Sequence, residues 1–269
     1  AIVNPDYVKP TRLVNGDKLY DAEIADRLPK AFRVMAIYFA GLTLISFFMF
    51  RRKGLEKEEA SAHNSLLLDD DNMEVKVQSE SIRKYLLQSK FWYIFTMNSL
   101  SSAYCLWNAS KYKDFGFKHN YDDAFLTILG SIGLVFNGFS RLAFGRLADY
   151  IKVKTIYIGI LIIQIVMSAT LNQVAGIKIL YSIYVCLSFL CLGGHFSLFS
   201  IICVKVYGIT KGTKIYGWMF FSFVVGNVAQ FALNYFLNNT SSYESMFYIF
   251  AGLAFISFIL IIFFQEKDM

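Results

Sequence analysis

Seven apolar runs, at 32–50, 91–107, 124–144, 155–171, 179–204, 215–237 and 246–264, constrain this chain more than any other feature. Each is close to the roughly 20 residues that carry an α-helix across the hydrocarbon core of a bilayer. Lipid offers no partner to backbone N–H and C=O groups, so a spanning segment must satisfy its own, as a helix does. A transmembrane barrel would show shorter stretches of alternating polarity instead. Composition agrees. Of 269 residues, 56% are hydrophobic and 17% charged, whereas soluble chains carry about 25% charged residues. The expected fold class is an all-α, multi-pass integral membrane protein with about seven transmembrane helices.

The net charge is +6, but the basic residues lie mostly between the apolar runs. The expected partner is therefore a lipid bilayer and not nucleic acid. No Gly-rich phosphate loop, zinc-ligand spacing or nucleophile elbow occurs, so no enzyme, cofactor or metal site is expected. Cys105, Cys186, Cys191 and Cys203 fall inside apolar runs and read as small buried residues.

Residues 1–31 are polar and broken by Pro5, Pro10 and Pro29. They read as an extracytosolic loop ending in a short amphipathic segment, 22–27, on the membrane surface. The first span, 32–50, stops at Arg51-Arg52-Lys53. Residues 51–90 mix acids, including the run Asp69, Asp70 and Asp71, with bases. Such a stretch cannot bury a core and reads as a solvated linker with a short helix near 81–88. Residues 91–269 form the remaining bundle, with a loop expected over 108–123. Lys and Arg concentrate in 51–90, 141–154 and 205–214, which places the 51–90 linker on the cytosolic side. The N-x-S/T sequons at Asn108 and near Asn238 and Asn239 then fall on the opposite side.

The stretch 137–154, N-G-F-S-R-L-A-F-G-R-L-A-D-Y-I-K-V-K, carries the chemistry. Arg141 inside a span costs roughly 2.5–3.5 kcal/mol at mid-membrane on insertion scales. Asn137, Arg141 and Gly145 recur every four residues and so share one helix face. A guanidinium offers a planar fork that matches a carboxylate with two bonds. The alternative is that Arg141 snorkels to the near membrane surface. Asp149, among Arg146, Lys152 and Lys154, suits a charge latch between helices, and Gly145 allows their close approach. His195 is the single histidine within a span, and its titration range makes it a proton-site candidate beside the alternative of a packing role. Asn98 and Ser102 mark a polar face on the second span, as inter-helix glue or as the wall of a wet path. Asn227, Gln230 and Asn234 form a polar stripe on the sixth, read as inter-helix hydrogen bonds.

The core G-x-L-A-D with trailing bases resembles the signature loop of the major facilitator superfamily. The longer pattern N-G-x-x-R-x-x-x-G-R-L-A-D is similar to that of the oxalate/formate antiporter and monocarboxylate porter branch. Asn4-Pro5, Gly193-Gly194-x-Phe196, Tyr207-Gly208 and Gly212-x-Lys214-x-Tyr216-Gly217 agree with it. The resemblance covers the whole chain as the last seven helices of a twelve-helix transporter: family helix six, the central cytosolic linker and the six-helix second half. The chain also begins Ala1-Ile2-Val3, without Met or a signal peptide, so a piece of a longer polypeptide or a processed product is expected.

The resemblance implies a secondary transporter that moves a small organic anion by alternating access, as symporter or antiporter. Arg141 stands at the family's substrate-carboxylate arginine. Asn137 replaces the aspartate usual in proton-coupled porters, and Tyr150 and Lys152 depart from the signature loop. Phe223 stands roughly where the bacterial oxalate exchanger has a lysine, which favours a monocarboxylate such as lactate, pyruvate or formate over oxalate. The substrate-site set is Arg141, Asn137, His195, Asn98 and Ser102, and the gating set Gly145, Arg146, Asp149, Lys152 and Lys154. Expected partners are the anion, a proton or counter-anion, and a missing N-terminal half or partner chain. The rival from another class is a non-transporting half-transporter, a structural subunit of a membrane complex. It predicts an Arg141 that contacts protein or snorkels.

Overall fold

The computed structural model describes residues 12–14, 17–19, 26–50, 82–237 and 243–264. The linker stretch 51–81, the amphipathic segment up to residue 25, the sequons near 238–241 and the last five residues lie outside the described residues. The chain divides after Ser79 into two compact units.

The first unit contains a two-stranded antiparallel ribbon, β1 (Arg12–Val14) and β2 (Asp17–Leu19), with Leu13 opposite Lys18. The sequence reading expected only loop here. The signal was Asn15-Gly16 between two short runs, a pair favoured in tight hairpin connections. Helix α1 (Leu28–Phe50) follows. Pro29 sits in its first turn, where a missing N–H removes no helical bond.

The described residues of the second unit form α-helices and the turns between them. A short α2 (Ile82–Leu86) precedes α3 (Ser89–Lys118), α4 (Asp123–Leu147), α5 (Val153–Val174), α6 (Lys178–Tyr207), α7 (Ile209–Leu237) and α8 (Tyr243–Phe263). The seven long helices match the seven apolar runs one for one. Six of them, α1 and α4 to α8, are long and apolar enough to cross a membrane. Helix α3 spans 30 residues but is too polar to meet that measure. Its position explains the polarity: it packs against α6, α7 and α8, and its buried residues include Asn98, Ser101, Ser102 and Asn108.

Helix α3 also corrects the loop expected over 108–123. It continues to Lys118 because the polar residues past 107 are helix-compatible and partnered. Lys111 pairs with Asp114 at 3.0 Å, one turn on. Asn108, 2% exposed, donates to Ser188 Oγ of α6 at 2.5 Å. A side chain so enclosed is no glycan acceptor, which removes the Asn108 sequon. The real turn is short. Asn120 takes a left-handed φ of 60°, a conformation asparagine tolerates. The Asp122 carboxylate then caps α4 by accepting from the Ala124 N–H at 3.2 Å.

Packing follows from small residues and aromatic fill. Helix α4 lies mainly on α6, α5 on α8, and α7 on α3 and α6. At the α4–α6 crossing, Gly193 lacks the Cβ that would collide with Ser140 Oγ and the Asn137 carbonyl. Two backbones meet there, the close approach that small residues permit in membrane bundles. Around Trp107 the rings of Phe247 (4.9 Å) and Phe250 (5.3 Å) fill the α3–α8 contact. The four cysteines are unbridged, with Cys105, Cys191 and Cys203 buried. Gly208, at φ 81°, separates α6 from α7.

Candidate functional site

An open groove of about 520 Å³ runs along one face of the bundle between α3, α4 and α6. That volume lies in the range of small-molecule sites, about 300–1,000 Å³. Its α4 wall carries Thr127, Ser131, Asn137 and Arg141, its α6 wall Phe189, Leu192 and Phe196, and its α3 wall Tyr112 and Lys113. Asn137 and Arg141, paired in the sequence by their four-residue spacing, are thus brought together on the groove.

Two contacts fix the guanidinium, and a third fixes the amide that holds it. Arg141 Nη2 donates to Asn137 Oδ1 at 3.3 Å. The amide of Asn137 is itself held from the neighbouring helix, because its Nδ2 donates to the Phe189 carbonyl at 3.2 Å. With the nitrogen committed to α6, the oxygen is left to face the arginine. The Arg141 guanidinium carbon also lies 4.4 Å from the centre of the Phe196 ring. That distance is within cation–π range, and Phe223 of α7 stacks behind Phe196 at 4.5 Å. Phe223, the position at issue for a second cation, therefore serves as backing for this shelf.

The direction of Arg141 bears on the two readings of it. Its bond to Asn137 turns the head group back toward the α4 N-terminus, one turn deeper along the helix and away from the loop that follows Leu147. A snorkelling arginine would point the other way. Among the described residues no carboxylate lies within ion-pair distance of Arg141. Of its five N–H donors, one is committed to Asn137 and the guanidinium stays exposed to the groove.

His195, Asn98 and Ser102 do not line this groove. His195 precedes Phe196 by one residue, about 100° around α6, and faces the bundle interior with 0% exposure. Its Nε2 lies 2.9 Å from Gln164 Nε2 of α5, and Gln164 also reaches the Ser101 carbonyl (3.2 Å) and Cys105 Sγ (2.7 Å) of α3. The arrangement ties three helices together. Asn98 donates to Ser222 Oγ of α7 at 2.6 Å, and Ser102 Oγ bonds back to the Asn98 carbonyl at 2.7 Å. With Gln230 donating to Ser110 at 3.0 Å, the polar faces of α3 and α7 are zipped by inter-helix hydrogen bonds. The side chain of Asn234 lies outside the described residues.

The gating set sits at the C-terminal end of α4. Arg146 Nη1 meets Asp149 Oδ2 at 3.3 Å, and Nη2 donates to the Tyr150 hydroxyl at 2.6 Å. Both partners are in the same turn, and the pair is exposed. The inter-helix link comes from Lys154, whose Nζ donates to the carbonyls of Ile262 (3.0 Å) and Phe264 (2.8 Å) at the end of α8. A Cβ at Gly145 would find Ser197 Oγ at 3.4 Å, so α4 and α6 stay close here too. Lys152 immediately precedes α5.

Three contributors escaped the sequence reading. Phe196 figured there only within a glycine motif. Phe189 contributes through its carbonyl, which side-chain chemistry does not announce. Lys113 was assigned to a loop, and it enters the groove because α3 continues through it.

No family model matches the chain. The chain is similar to apicoplast pyruvate carrier 1 of Toxoplasma gondii, with 25% identity over 239 residues that cover 77% of this chain and 44% of the relative. It thus spans less than half the length of that relative. Helices able to span a bilayer and a carrier as relative describe a multi-pass integral membrane protein.

Proposed function

We propose that this chain is the second half of a secondary transporter of the major facilitator type that moves a small monocarboxylate, with pyruvate the first candidate. The observation that carries the reading is the state of Arg141. It is oriented from two sides by Asn137 and Phe196, turned into a groove and, among the described residues, left without a carboxylate partner. The likeness to a pyruvate carrier supports the substrate class. In such transporters the site lies near the midplane between two halves that rock about it. Arg141 binds the carboxylate with its remaining donors, Asn137 holds the fork in register, and Phe196 supports its face. The second wall comes from a preceding half or a partner chain. Arg146, Asp149 and Lys154 work the cytosolic end, and Asn137 carries no proton.

The test is uptake of labelled pyruvate by the full-length protein in proteoliposomes. Arg141→Ala removes a charged hydrogen-bonding partner worth about 2–5 kcal/mol, so the half-saturating concentration rises at least about 30-fold, at roughly 1.4 kcal/mol per tenfold. Uptake unchanged by Arg141→Ala removes the arginine from the site.

A further inference from the structure

The groove carries a second cation, at its other end. Lys113, on the last turns of α3, reaches across to α4, where its Nζ donates to Thr127 Oγ1 at 2.7 Å and pairs with Asp123 Oδ1 at 3.2 Å. Its side chain remains 35% exposed and that of Asp123 29%. Thr127 and Ser131, one turn apart on α4, and Tyr112 of α3 line the groove beside it. The other cation is Arg141, held at the level of Asn137. Thr127 and Asn137 lie about 15 Å apart along the α4 axis, from the helical rise. A three-carbon acid is far too short to touch both cations at once.

We propose that Lys113, with the hydroxyl of Thr127, forms a second carboxylate station at the α3–α4 end of the groove. The anion occupies it before or after Arg141, never together with it. Asp123 is the station's built-in competitor: it occupies the ammonium when no substrate is there, and an arriving carboxylate displaces it. The lysine suits this role better than a fork would. Its ammonium is a point charge on a flexible stem that exchanges partners without a fixed geometry. An exposed pair such as Lys113–Asp123 is also weak enough to open for an incoming anion. Because the station is partly exposed, its attraction falls with ionic strength. This inference rests on the anion-transport reading above.

The experiment measures initial rates of labelled pyruvate uptake by the full-length protein, at low and raised salt, for wild type, Lys113→Gln, Lys113→Arg, Asp123→Asn and Arg141→Ala. Lys113→Gln raises the half-saturating concentration about three-fold, the size of effect that one exposed charge carries. It retains the maximal rate and flattens the salt dependence. Lys113→Arg restores both, which a merely structural lysine anchored on Asp123 and Thr127 would not require of the salt dependence. Asp123→Asn lowers the half-saturating concentration by removing the competitor. It also decides the matter if Lys113→Gln fails to fold, because an unchanged or higher value then overturns the station. Wild-type kinetics in Lys113→Gln, with uptake lost in Arg141→Ala, remove the second station alone. Wild-type kinetics in both remove Arg141 and the station from the path, whereas no pyruvate uptake by the wild type removes the transport reading and the station with it.

Discussion

Alanine at Gly193 tests whether the proposed substrate site depends on a backbone-to-backbone crossing. A Cβ placed there lies 3.1 Å from the carbonyl carbon of Asn137 and closer still to its oxygen and to Ser140 Oγ. Carbon pairs pack at about 3.5–4.0 Å, so α4 must retreat by at least about 0.5–1 Å at the turn that carries Asn137. Overpacking of this kind costs about 1–3 kcal/mol, a fall in Tm of roughly 2–12 °C for a bundle of this size. The same retreat stretches the Asn137–Phe189 bond that orients Arg141, and misplacement of reacting groups by about 1 Å costs on the order of 100-fold. Thermal unfolding in detergent and pyruvate uptake should therefore fall together. Adding Ser140→Ala does not restore them, since the obstructing carbonyl is backbone. Gly159→Ala, on α5 with nothing within 4 Å of its Cβ, is the control. It leaves Tm unchanged or raises it by removing the helix cost of glycine. A Gly193→Ala protein within about 1 °C of wild type and with full uptake would refute the reasoning.

Phe196→Leu removes the ring beneath Arg141 while keeping an apolar side chain. The lost contact is worth about 0.5–2 kcal/mol, so the half-saturating concentration for pyruvate rises about two- to thirty-fold with the maximal rate little changed. A value equal to wild type shows that Asn137 alone orients the arginine. Lys154→Met deletes both bonds to the end of α8. A cation at a helix C-terminus contributes about 0.3–1 kcal/mol, so Tm falls by roughly 1–4 °C. An unchanged Tm would show the link to be dispensable.

The helices were legible because lipid imposes length and apolarity on each span, and α4 to α8 occupy the apolar runs with ends extended by a few residues. The extensions are polar turns that hydropathy cannot see, and α3 is the extreme case, running past residue 107 to Lys118. Within the site, the pairing of Asn137 with Arg141 was readable because it is local, four residues on one helix. The shelf under Arg141 was not, since Phe196 reaches it only through the α4–α6 crossing. His195 shows the converse: a titratable residue adjacent to a site residue in sequence faces another direction, because one step along a helix turns the side chain by about 100°. On the polar face of the second span, Asn98 bonds across to α7 while Ser102 bonds back within its own helix.

The polarity of α3 has a consequence for how the molecule is made. A segment with buried Asn98, Ser101, Ser102 and Asn108 gains little by partitioning into lipid alone, since polar groups in hydrocarbon cost free energy unless paired. The partners for the two asparagine amides come from Ser222 on α7 and Ser188 on α6, which are synthesised about a hundred residues later. These inter-helix partners of α3 therefore become available only once α6 and α7 have been made.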